Sequence, residues 1–115
     1  MVVTEVHING SAEDQIRWFK CIWDTCLSIR TEGVDLRAVT AWAMFGTYGW
    51  SKLLTESPGE YEQGVFNVRS GSPQATAYTE FIKRLTTDPY YMHPACFEIG
   101  WWEHERRLLW DEMLR

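Results

Sequence analysis

A carboxylate at Glu5 and an imidazole at His7 stand two residues apart in the β-branched run VVTEVHI. In an extended strand that spacing puts both side chains on one face, where an acid and a hydrogen-bonding ring would line the same pocket. The plainer reading is a strand-end carboxylate facing water and a histidine satisfied by its neighbours. Tyr48, Trp50, Tyr61 and Phe66 fall in a stretch rich in Gly, Ser and Pro, residues 47–71. Loops that long are usually functional or disordered, and the rings favour an ordered loop at a site. His93, Cys96 and His104 lack metal-ligand spacing, so no zinc site is expected. Trp18, Trp23, Trp101, Trp102 and Trp110 are expected in the core or at an interface.

The elements that must hold these residues alternate between strand and helix. Val2 to Ile8 reads as a short strand ended by the turn pair Asn9-Gly10. Ser11 caps a helix over 12–31, with Asp14 as a weaker stand-in for the Glu of a capping box. Ile16, Phe19, Ile22, Trp23, Cys26 and Leu27 give that helix one buried stripe, and Gly33 stops it. The run VDLRAVTAWAMFG, residues 34–46, is apolar almost throughout and predicts a strand buried on both faces, the kind found in parallel sheets covered by helices. Strand, helix and strand make one right-handed βαβ unit. Ser72-Pro73 reads as the cap and first position of a second helix with Tyr78, Phe81, Ile82 and Leu85 inward. Residues 89–115 read as a tail or linker, with EHERRLLWDEML as a last short helix.

Two parallel strands and two helices leave an unpaired edge on each strand. The order β-α-β-loop-α-tail is therefore expected to be part of a larger α/β fold.

With 115 residues, 45% hydrophobic and 23% charged, the chain has the size and composition of one globular domain. A net charge of −5 with scattered Lys and Arg excludes a general nucleic-acid or anionic-membrane binder. No signal peptide or membrane-length apolar run is read, so a cytoplasmic setting is expected. Cys21, Cys26 and Cys96 are expected as reduced thiols. No Gly-rich dinucleotide fingerprint occurs, and no cofactor is expected.

VVTEVHING, a helix and then GVDLRAVTAWAMFGTYGW together resemble the last quarter of the (β/α)8 barrel of family 1 glycoside hydrolases. The likeness runs from Val2 to about Leu85. DQIRWF, YEQGVFNVRSG and the late GWW are more similar still to a divergent bacterial branch, often fused to a dTDP-4-dehydrorhamnose reductase-type domain. The resemblance implies a partial TIM barrel, with residues 1–88 as its last two βα units, strands seven and eight. It implies Glu5 as the nucleophile of a retaining glycosidase, at the strand end where barrel enzymes place their chemistry. Such chemistry needs a second carboxyl about 5–5.5 Å away, and the family carries it on strand four, outside the matched segments. Trp42 matches the hydrophobic floor under the sugar ring and Trp50 the tryptophan of a Phe-Glu-Trp motif; with His7 they are the expected substrate-binding residues. Gly49 stands where that motif has its carboxylate, and Val6 where the family has the Asn after the nucleophile.

Three functions are expected in competition. The chain is a portion of a glycosidase-like domain acting on a carbohydrate or glycoside, inactive alone. Alternatively it is a non-catalytic carbohydrate-binding or regulatory part of a sugar-nucleotide enzyme. The third reading is an interaction fragment that oligomerises or pairs with another chain to cover its edges.

Overall fold

A computed structural model describes residues 1–52, 55, 59–105 and 107. Strand β1, Val2–Val6, leads into helix α1, Ala12–Thr31, and then strand β2, Ala38–Ala41. β1 and β2 pair in parallel, Val2 opposite Ala38 and Val3 opposite Val39. They form a sheet of two strands.

The bounds of α1 follow from local chemistry. The Ser11 hydroxyl accepts from the Asp14 amide at 3.1 Å, which satisfies one of the N–H groups left over at a helix start. At the other end Gly33 takes a left-handed φ of 96°. Its amide reaches the Arg30 carbonyl and that of Val34 reaches Ile29, the paired bonds of a Schellman motif. Ile16, Phe19 and Cys26 are buried, and Ile22 and Trp23 pack partly against them. Burial pushes the Cys26 thiol up, as it does that of Cys96, which suits inert structural thiols. All three cysteines are free.

The second strand departs from expectation. Instead of one run over 34–46 buried on both sides, the strand is Ala38–Ala41 with inward and outward positions alternating, and Phe45 makes a separate parallel bridge to Phe66. Among the described residues only one face has a cover. Val3, Val39 and Ala41 pack on the core beneath, whereas Val2, Thr4, Ala38 and Thr40 face away from it and are exposed. Beyond the strand the Trp42–Ala43 peptide is cis, and Met44 and Phe45 are 61% and 49% exposed.

The expected loop is built from short pairs. Strands β3, Thr47–Tyr48, and β4, Tyr61–Glu62, run antiparallel, with Thr47 opposite Glu62 and Tyr48 opposite Tyr61. Strands β5, Phe66–Asn67, and β6, Gln74–Ala75, form a second antiparallel pair. Residues 53, 54 and 56–58 of the loop lie outside the described residues.

Helix α2 is Ala77–Leu85, and its cap is Thr76 rather than Ser72-Pro73. Pairing with β5 takes Gln74 and Ala75 as strand, which delays the helix. Thr76 and Thr79 then exchange side-chain-to-backbone bonds as a capping box, and both hydroxyls also reach the Val65 carbonyl. Tyr78, Phe81 and Leu85 are buried, and with Val6, Ile16, Phe19 and Val65 they form the core. Burial pushes the Tyr78 phenol up.

The described part of 89–115 packs on the same core. Arg17 donates to the Ala95 carbonyl at 2.8 Å, Trp23 donates to that of Pro89 at 2.8 Å, and Trp102 meets Trp18 edge-on at 5.1 Å. The last helix expected over 103–114 falls mainly on residues 106 and 108–115, outside those described. Among the described residues no helix is long and apolar enough to cross a membrane.

Candidate functional site

Three of the four expected site residues meet at one end of the parallel pair, in an open cleft of about 160 Å³. His7 follows β1, Trp42 follows β2 and Trp50 follows β3, and all line it with Glu62 of β4. The volume is below the roughly 300–1,000 Å³ of complete small-molecule pockets, as suits one wall of a larger site.

The indoles of Trp42 and Trp50 lie 6.1 Å apart between centroids and tilt 53° to each other. They remain 36% and 41% exposed, so their faces are available to a ligand. His7 Nδ1 lies 3.0 Å from the Trp42 carbonyl oxygen. A carbonyl only accepts, so Nδ1–H is the donor, and this bond fixes the ring and aims Nε2 at Glu62. Nε2 stands 3.1 Å from Glu62 Oε2, with the two side chains 19% and 13% exposed.

Glu5 does not join them. It is exposed, does not line the cleft, and its side chain makes no hydrogen bond or ion pair among the described residues. The expectation that Glu5 and His7 share a face assumes a regular strand, and β1 is not regular. Glu5 has a φ of 58°, and the register with β2 shifts between Val3 and Val6. That bulge lets Val3 and Val6, three apart, both pack on the core. His7 is thereby re-aimed into the cleft and Glu5 is left outside it. A non-glycine residue in this left-handed region costs on the order of 1–2 kcal/mol.

Glu62, Gln63 and Gly64, within YEQGVFNVRSG, also line the cleft, although nothing in their spacing points there. Their place depends on the β3–β4 pairing. Tyr61 braces it: its ring lies 5.0 Å from that of Tyr48, its hydroxyl accepts from the Val68 amide at 3.0 Å, and the Arg69 guanidinium sits 4.3 Å over its ring. Behind the cleft, Gln15 donates to the Gln63 carbonyl at 2.8 Å. Gln15 Oε1 and Gln63 Nε2, an acceptor and a donor, are buried without partners among the described residues. The only signal in the sequence was an acid set between Tyr61 and Gln63-Gly64 in an aromatic loop.

The arrangement offers a hydrogen-bonding carboxylate and imidazole beside two apolar ring faces. Among the described residues no group of three or more His, Cys, Asp or Glu side chains is placed to hold a metal ion. No protein family, curated protein or solved structure gives a significant match to this chain.

Proposed function

We propose that the chain is the strand-seven and strand-eight portion of a family 1 glycosidase-like barrel, and that its cleft is one wall of a carbohydrate site. The observation that carries this reading is the open parallel pair whose carboxyl ends place His7 and Trp42 in one cleft, which Trp50 joins from the end of β3. Chemistry at the carboxyl ends of parallel strands is the barrel arrangement, and apolar sugar faces stack well on indoles. The small residues on the outward face, Val2, Thr4, Ala38 and Thr40, suit the packed interior of a barrel.

The position of Glu5 favours a second form of the same reading, a carbohydrate-binding or regulatory part of a sugar-nucleotide enzyme without turnover. The expected nucleophile stands outside the cleft, and no acid partner accompanies it among the described residues. Both forms predict that the isolated chain binds sugar weakly and hydrolyses nothing. Titration with methyl β-D-glucopyranoside into the millimolar range is expected to give a saturable change in tryptophan fluorescence, with no release of nitrophenol from aryl glycosides. A flat titration would contradict the carbohydrate reading. Release of nitrophenol by the chain would contradict the expectation that it does not turn over glycosides.

A further inference from the structure

Resting on that carbohydrate reading, we infer that Glu62 is the carboxylate with which the cleft holds its ligand, and that the ligand is a neutral ring bearing hydroxyl groups. Among the carboxylates of the described residues, only Glu62 lines this cleft. Its Oε2 is engaged by His7, whereas no protein group bonds Oε1 among the described residues. A carboxylate oxygen has lone pairs to accept further donors, so Oε1 is the acceptor left for a ligand.

The surroundings define what brings that donor. Trp42 and Trp50 present apolar faces, which suit the C–H face of a pyranose. An anionic ligand is disfavoured beside Glu62. A cationic ligand would compete with His7, which already supplies Glu62 with a polar partner. A hydroxyl donates without carrying charge. Glu62 reaches this position on β4, which pairs with Thr47-Tyr48 immediately before Gly49.

The test is fluorescence titration of the full chain with three probes, methyl β-D-glucopyranoside, D-glucuronate and tetramethylammonium, for the wild type and Glu62→Gln. The wild type is expected to bind the glucoside at least tenfold better than glucuronate and to ignore tetramethylammonium. Glu62→Gln is expected to weaken glucoside binding at least tenfold and to narrow the gap to glucuronate. The charge discrimination is read in the wild type, so it decides even if the variant fails to fold. Equal binding of the glucoside by both proteins would overturn the role of Glu62 and leave the carbohydrate reading standing. Preference for glucuronate or for tetramethylammonium would overturn the ligand class. A wild type that binds none of the three would overturn both.

Discussion

Replacing Phe81 by Ala is expected to cost about 3–5 kcal/mol of stability, the range for deleting a fully buried aromatic ring. Phe81 is 1% exposed and stands at the centre of the core, between α1 and the 89–97 segment. Its ring lies 6.1 Å from that of Tyr91 and 6.3 Å from that of His93. Removing it therefore empties space that helix and tail both line. Domains of this size are stable by only about 5–15 kcal/mol, so the variant should be largely unfolded at modest denaturant. Urea unfolding followed by circular dichroism at one fixed chain concentration measures this. Phe97→Ala is the control: that ring is 77% exposed, and its loss should change stability by no more than about 0.5 kcal/mol. Equal effects of the two substitutions would mean that the core is not where the fold places it.

Gly64→Ala is expected to damage both the fold and the cleft. A Cβ at that position would lie 2.4 Å from the Phe45 carbonyl carbon, 2.5 Å from the Gly46 nitrogen and 2.6 Å from the Ala43 oxygen. All three are backbone atoms and cannot rotate away. The segment would have to separate from 43–46, breaking the bonds from the Val65 amide to Ala43 and from the Phe66 amide to Met44, both 2.8 Å. Overpacking of this kind typically costs about 1–3 kcal/mol. Here it should also remove sugar binding, because the same segment positions Glu62 and Gln63 on the cleft wall. The check is a thermal melt paired with the fluorescence titration. A variant that melts and binds like the wild type would contradict the close approach of these strands.

What could be read from the sequence was what short-range chemistry decides. The bounds of α1 follow from Ser11 and Gly33, and the inward side of α2 from the spacing of Tyr78, Phe81 and Leu85. Both depend on neighbours within a turn or two. What was misread depends on partners distant along the chain. Gln74-Ala75 becomes strand because Phe66-Asn67 is beside it, and this moves the helix cap from Ser72-Pro73 to Thr76. The run 34–46 has the composition of a strand buried on both faces, but burial depends on what covers it. Among the described residues the core covers one face only.

The site shows the same division. Trp42 and Trp50 could be proposed from a motif and His7 from the two-residue period of the strand, and the three meet in one cleft. Glu62 enters it through a pairing with Thr47, fifteen residues earlier, that no periodicity announces. Glu5 drops out because one left-handed residue breaks the strand's two-residue alternation, and Glu is not a residue whose type signals that conformation.

The central claim is that β1 and β2 are neighbouring strands of a larger sheet, with edges and an outward face that require cover. Light scattering with circular dichroism melts of the purified chain, at several concentrations, tests it most directly. Open strand edges and the exposed Met44, Phe45 and Trp42 predict a mass that grows with concentration and a melting temperature that rises with it. A monodisperse monomer with a sharp melt independent of concentration would contradict the account, because the two-stranded sheet would then be complete as it stands.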